Sequence, residues 1–343
     1  MKILGIETSC DETAAAIVEN GTKILSNVVA SSSEMHSKTG GVVPEAAARQ
    51  QVVSILPVIE TAFSKAKLVP NDIDAIAVTV GPGLVGSLLV GIETARTFSL
   101  LWKKPLIPVN HLVAHIYANW LSISQPKLPA LSLVVSGGHT DLVLMKDHGN
   151  LEWIGGTRDD AAGECFDKCA RLLGLPYPGG PSISAEASKF QPRSGLFVKN
   201  GELKMFPRPM IDDDSFDWSF SGLKTAVLRT VENPKSTIVI PMLAAEIQEA
   251  IVDVLVEKTL RAVKKFKPGS LLLAGGVAAN SRLREKFEKE IKNLELKIDF
   301  RVPPPKLCTD NAAYIAAYAY FVDSTSGWTS IDAKPELTIV GQI

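Results

Sequence analysis

The chain has 343 residues, with 36 Lys and Arg against 37 Asp and Glu for a net charge of -1, 46% hydrophobic residues and 21% charged ones. That length suits about two domains with substantial cores. A balance this close to neutral excludes a generally basic nucleic-acid binder, and the composition excludes disorder as the main state.

The most apolar helical stretch, residues 84–102, carries Glu93 and Arg96 near its middle and is too polar for a bilayer span, so no membrane association is expected. The N-terminus lacks a signal-peptide pattern. Cys10, Cys165, Cys169 and Cys308 form no CxxC pair, which argues against a disulfide framework and for a reducing, cytoplasmic location.

Three β-prone runs open the chain, residues 3–8, 14–18 and 24–29, separated by Asp11-Glu12 and Asn20-Gly21. Asn-Gly between such runs signals a hairpin, so three consecutive strands are predicted. A helix over about 44–67 follows, then a strand over 75–80 ending in Gly81-Pro82-Gly83, and a helix over about 85–101. A buried strand over 106–109 feeds a helix over about 111–121.

The second half resembles the first. Residues 131–136, the Gly137-Gly138 turn and residues 140–145 predict strand, turn and strand. Residues 270–274 lead through Gly275-Gly276 into a helix over about 280–292, and a strand over 297–302 and a helix over 310–322 end the pattern. Taken by role, Glu7-Thr8-Ser9 matches Ser136-Gly137-Gly138, Gly81-Pro82-Gly83 matches Gly275-Gly276, and the His111 helix matches the Asp310 helix. Any two α/β halves share strand-turn-helix units, but here three turns recur in order, each at the C-terminal end of a strand, where ligands of open α/β sheets bind. The expected architecture is α/β with two duplicated lobes facing across a cleft, as in the actin/Hsp70/sugar-kinase (ASKHA) class. The lobes are expected at 1–125 and 126–343, with an inserted helical and loop segment at about 161–240. That insertion holds an amphipathic helix over 161–173, a Pro/Gly loop over 176–181 and five cations, Lys189, Arg193, Lys199, Lys204 and Arg208. These suit a solvated surface or an RNA-contacting patch.

His111-Leu-Val-Ala-His115 places two imidazoles one helical turn apart on one face, a spacing that suits a shared metal or two hydrogen-bonded histidines. Leu112 and Val113 stand where a metalloprotease would carry its general-base Glu, which disfavours peptide hydrolysis. By the lobe correspondence, Asp310 joins His111 and His115 across the cleft; its plainer role is to cap its own helix. Two imidazoles and a carboxylate suit Fe(II) or zinc.

Glycine turns at Ser136-Gly137-Gly138-His139-Thr140 and at Gly275-Gly276 ahead of Asn280 let backbone amides approach a phosphate. Asp167 can accept from ribose hydroxyls or pair with Lys168 or Arg171, and Gly179-Gly180 can pass close to a sugar or simply turn the chain. No GxxxxGK[ST] and no GxGxxG is present. Asp11 and Glu12, in the first turn, suit a general base, or an Asx turn for Asp11. Cys165 and Cys169 suit core packing.

In order and spacing, residues 5–13 (GIETSCDET), 40–45 (GGVVPE), 81–84 (GPGL), 111–115 (HLVAH), 136–140 (SGGHT) and 308–311 (CTDN) resemble the TsaD family of tRNA threonylcarbamoyladenosine transferases. The resemblance implies an ASKHA two-lobe enzyme that moves threonylcarbamoyl from threonylcarbamoyl-AMP to N6 of the adenine beside the anticodon in tRNAs reading ANN codons. It implies one metal, iron or less often zinc, held by His111, His115 and Asp310. Substrate contacts fall on Val135, Ser136, Gly137, Gly138, His139, Asp167, Gly180 and Asn280. It further implies a TsaB-like paralogous partner and a TsaE-like P-loop ATPase. Asp11 or Glu12 is expected to manage the amine proton. Pro303-Pro304-Pro305 departs mildly from the pattern and stiffens the approach to Asp310. A non-catalytic ASKHA scaffold and a hydrolase are the rival readings.

Overall fold

Residues 1–32, 41–122, 124–190, 198–199, 202–203, 205–233, 239–322, 326–327 and 329–341 are described in the computed structural model. The chain divides into two units: Met1–Leu128 with Met145–Glu152 and Pro303–Ile343, and Pro129–Leu144 with Trp153–Val302.

The first unit opens with β1 (Lys2–Glu7), β2 (Glu12–Glu19) and β3 (Lys23–Ser31), the three strands expected from the sequence. Each pair is antiparallel, and Asn20 and Gly21 take left-handed backbone (φ 53° and 68°) between β2 and β3, the role that Asn-Gly signalled. There follow α1 (Pro44–Ala66), β4 (Ala75–Gly81), α2 (Val85–Trp102), β5 (Leu106–Asn110) and α3 (His111–Tyr117). α3 is shorter than the helix predicted to about 121, because a 3-10 turn over Ala118–Trp120 takes over. The sheet order is β3-β2-β1-β4-β5, with β4 parallel to both β1 and β5. Apolar faces of α1 (Ile55, Val58, Ile59) and α2 (Leu88, Ile92) bury against Leu4, Ile6 and Val78 of this sheet.

Unit two carries β6 (Ala130–Val135), β7 (Thr140–Asp147) and β8 (Asn150–Gly156), then α4 (Ala162–Leu172) and α5 (Gly179–Ala187). A two-strand ribbon of β9 (Val198–Lys199) and β10 (Glu202–Leu203) precedes α6 (Ser221–Glu232) and α7 (Ile240–Phe266). β11 (Ser270–Ala274), α8 (Ser281–Asn293) and β12 (Asp299–Arg301) complete it. The sheet order, β8-β7-β6-β11-β12, repeats that of the first sheet strand for strand, with β11 parallel to β6 and β12. The internal duplication is thus a matter of topology as well as of turns. β8, α6 and α7 lie beyond the elements predicted, and α5 begins inside the expected loop over 176–181.

The chain then ends with α9 (Pro305–Cys308) and α10 (Ala313–Phe321). These residues were expected in the second lobe, but 303–343 belong to the first unit. The reason lies in α10 itself, AYIAAYAYF, which is apolar all round and buried over Ala313–Ala319. A helix with no polar face needs partners on every side, and α10 packs on α3, β1 and β2. Gly5 permits the approach: a Cβ there would sit 3.0 Å from the amide nitrogen of Ala316. Among the described residues, no helix is long and apolar enough to cross a membrane.

Candidate functional site

His111 and His115 stand on α3 because β5 ends at Asn110, whose Oδ1 accepts from the amides of Leu112 (3.0 Å) and Val113 (3.4 Å) and starts the helix. Their Nε2 atoms are 3.1 Å apart. Asp310 lies three residues before α10 and does not cap it; Asn311 Oδ1 accepts from Ala313 N instead. Asp310 Oδ1 is 3.3 Å from His115 Nε2 and 3.6 Å from His111 Nε2. One nitrogen from each histidine and one carboxylate oxygen all lie within 4.8 Å of one another. The expected trio therefore meets, from corresponding places in the two repeats. It meets inside the first unit, since α10 docks there.

Three further residues surround this group. Glu7 Oε2 is 2.9 Å from His111 Nδ1, Ser9 Oγ is 3.3 Å from the same nitrogen, and the Tyr314 hydroxyl is 3.4 Å from both Asp310 Oδ1 and His115 Nε2. In the sequence pattern Glu7 and Ser9 figure only as parts of a turn motif, and Tyr314 does not figure in it. A carboxylate ending an apolar strand, and a tyrosine one turn after Asp310, were the available signals.

The electrostatics are those of a small buried ion cluster. Burial opposes charge on His111, but the carboxylates of Glu7 and Asp310 outweigh it and lift its pKa to about 9. Burial and then the charge of His111 lower that of His115. Burial would raise the Asp310 and Glu7 carboxyls, yet His111 holds Glu7 below the ordinary value and His111 with His115 holds Asp310 far below it. Two imidazole nitrogens and one carboxylate oxygen on a common point form a donor set suited to a divalent transition metal. The fit is supported by the donor types and by their approach, one atom from each of the three groups lying within 4.8 Å of the others.

Asp11 and Glu12 lie at the start of β2. The Asp11 carbonyl accepts from the Ser32 amide (3.3 Å) and hydroxyl (2.5 Å). Ser31 Oγ donates to Glu12 Oε1 at 3.2 Å. Burial, followed by the charge of Asp310, pushes the Glu12 carboxyl up to about 10, so it holds a proton at neutral pH.

In the second unit the predicted substrate residues lie at the end of β6 and in its turn, on α4, at the start of α5 and at the cap of α8. Ser136 N donates to His139 O (2.8 Å) and His139 N to Ser136 Oγ (3.2 Å), closing a tight turn in which Gly137 and Gly138 face open space. Gly163 N donates to Ser136 O at 3.1 Å, and a Cβ on Gly163 would lie 2.8 Å from the Gly137 Cα. Asp167 Oδ1 accepts from Gly179 N at 2.6 Å, while Gly180 is open. Val135 abuts Gly275, whose φ of 87° opens the 3-10 turn Gly276–Ala279. Asn280 caps α8 through Leu283 N (3.0 Å) and donates to Gln248 Oε1 at 2.9 Å.

Of the five cations of the insertion, two have described side chains, Lys189 and Arg208. Arg193, Lys204 and the Lys199 side chain lie outside the described residues. Lys189 pairs with Glu186 at 2.6 Å. The Arg208 side chain is 8% exposed and bonded to Glu246 (2.6 Å) and Asp253 (2.7 Å), and so ties elements of the second unit together rather than facing solvent. Cys165 and Cys169 pack in the core as expected, their sulfurs 4.0 Å apart.

The family model described as TsaD, tRNA N6-adenosine threonylcarbamoyltransferase, matches residues 23–317. A protein of that name from Thermomicrobium roseum is 51% identical, covering 94% of this chain and 92% of its own length. One from Bacillus subtilis is 53% identical, over 92% and 89%. Component A of the (R)-2-hydroxyglutaryl-CoA dehydratase from Acidaminococcus fermentans matches with a TM-score of 0.53 at 16% identity, over 93% of this chain and 98% of that one. That likeness, with the repeated strand order, makes the fold α/β of the ASKHA type.

Proposed function

The chain belongs to the tRNA N6-adenosine threonylcarbamoyltransferase family and is a transferase of tRNA modification; from that premise we propose its reaction and the residues that perform it. The threonylcarbamoyl group passes from threonylcarbamoyl-AMP to N6 of the adenine beside the anticodon in tRNAs reading ANN codons, and AMP leaves. The new bond joins N6 to the carbamoyl carbon; the bond from that carbon to the phosphate oxygen breaks, and N6 loses one proton.

The observation that carries this reading is the convergence of His111, His115 and Asp310 within 4.8 Å. They would hold one divalent metal, Fe2+ or alternatively Zn2+, which when bound supplies a Lewis acid for the carbonyl and phosphate oxygens. Glu7 holds the His111 imidazole, and Asn110 starts the helix that carries both histidines. In the second unit, the amides of Gly137 and Gly138, in the turn that Ser136 and His139 close after Val135, are assigned to the anionic part of the intermediate. Their fixed dipoles need no reorganisation as charge develops. Asp167 and Gly180 are assigned to the nucleoside part. Asn280 orients the end of the Gly275-Gly276 turn. Asp11 or Glu12, at the start of β2, is assigned the amine proton.

The family resemblance further supports a TsaB-like paralogue and a TsaE-like P-loop ATPase as partners, and the cytoplasm as the place of work. The direct test is mass spectrometry of nucleosides from tRNA incubated with threonylcarbamoyl-AMP and the protein with those partners. The modified adenosine is expected with the intact chain and not with His115→Ala. Full modification by His115→Ala with unchanged metal content would overturn the site assignment.

A further inference from the structure

Glu7 ends the strand KILGIE and is fully buried. A carboxylate taken so completely from water needs donors around it. Oε1 accepts from the Ser9 amide at 2.5 Å, and Oε2 accepts from the Thr79 hydroxyl at 2.6 Å and faces His111 Nδ1 at 2.9 Å. β1, β4 and α3 therefore meet at one side chain. An ionised carboxylate only accepts, so the bond to His111 requires the proton on Nδ1 and leaves Nε2, the nitrogen that faces His115 and Asp310, as the one to give up its proton and bind. Ser9 Oγ, at 3.3 Å, is the longer contact to that nitrogen. His115 has no such support: its Nδ1 is buried without a hydrogen-bond partner.

Resting on the metal reading above, we infer that Glu7 is the positioning residue of the centre. Its carboxylate holds His111 in the Nδ1-protonated form and makes His111 the more electron-rich of the two imidazole donors. The Thr79 hydroxyl and Ser9 amide hold the carboxylate itself. A carboxylate behind an imidazole both fixes the ring and strengthens it as a ligand, and losing one commonly weakens metal affinity by about 10- to 100-fold.

The test measures zinc affinity of the full chain by chelator competition, beside the Nδ1 proton resonance of His111 in the zinc-loaded protein. Glu7→Gln places an amide NH2 against one of the present donors. It is expected to weaken zinc binding by about 10- to 100-fold and to remove the downfield, slowly exchanging Nδ1 signal. Thr79→Val leaves the carboxylate in place with one support fewer and is expected to give a smaller loss. Wild-type protein that binds no zinc would sink the metal reading itself. Wild-type protein that binds zinc, with Glu7→Gln within about twofold and its Nδ1 signal intact, overturns the role of Glu7 alone. Should Glu7→Gln not fold, Thr79→Val decides: a measurable loss supports the inference and unchanged affinity overturns it.

Discussion

Asn110 works in two directions: its Oδ1 accepts from the first amides of α3, and its Nδ2 donates to the main-chain oxygen of Thr338 at 2.9 Å. The residue that starts the histidine helix is thus tied to the C-terminal segment. That segment is also fastened by Lys334 N to Val80 O (2.7 Å) and by Gly83 N to Pro335 O (3.1 Å).

Asn110→Ala removes a helix cap and strands the Thr338 carbonyl. A loss of about 1–2 kcal/mol in chemical denaturation is expected, along with weaker metal retention on dialysis. Asn110→Asp keeps the cap acceptor but not the donor, and is expected to recover part of the stability.

The proposed metal site predicts an affinity that depends on pH through His111. Its pKa of about 9 means that the metal-free protein carries an imidazolium there at neutral pH. Binding must displace that proton, so affinity is expected to rise with pH up to about 9, by at most about tenfold per pH unit for one proton. Isothermal titration in buffers of different ionisation enthalpy checks it by counting protons released.

The same shift affects stability without metal. A folded-state pKa above the ordinary 6.5 stabilises fully below pH 6.5, and that contribution is lost as pH rises through about 9. Glu12, raised to about 10, acts in the same direction above its ordinary 4.5. The melting temperature of the metal-free protein is therefore expected to fall between pH 6.5 and 9, and to fall less in Glu12→Gln.

Arg208 separates core from surface. Its partner Glu246 is fully buried and accepts from Arg208 and from the amides of Met205 (2.6 Å) and Phe206 (3.0 Å). Arg208→Ala leaves that carboxylate short of a counter-charge, and about 3–5 kcal/mol of destabilisation is expected in denaturant melts. Lys189→Ala, on an exposed pair, is expected to change stability by less than about 0.5 kcal/mol.

Gly5 tests the seat of α10. A Cβ would press on the backbone of Ala316, so Gly5→Val is expected to cost about 1–3 kcal/mol as overpacking. Hydrogen exchange of the α10 amides should rise more than that of α1.

Much of this was legible in residue order. The opening strands show as β-prone runs with Asn-Gly between them, and the duplication shows as turns recurring at strand ends. His111, His115 and Asp310 were reachable because helix spacing joins the first two and the repeat points to the third. The destination of α10 was not legible, because an apolar helix says that it is buried without saying where. α7 escaped because Glu246, Gln248, Lys258 and Thr259 occupy buried positions and blur its apolar stripe. Lys258 finds its partners in the carbonyls of Ser215 (3.1 Å) and Asp217 (2.6 Å), contacts that only the tertiary fold brings about. Glu7 was quoted for its neighbours, while its own partners, Thr79 and His111, come from distant strands and helices.

The docking of α10 against Gly5 also sets an order of events during synthesis. Domains form as the chain emerges, N-terminal segments first. The sheet of the first unit leaves the ribosome with the face at Gly5 bare, and the whole second unit is made before residues 303–341 arrive to cover it. Until then the two histidines wait without Asp310. The three proposed ligands consequently cannot meet in the nascent chain until residues 303–322 have been made and α10 has docked.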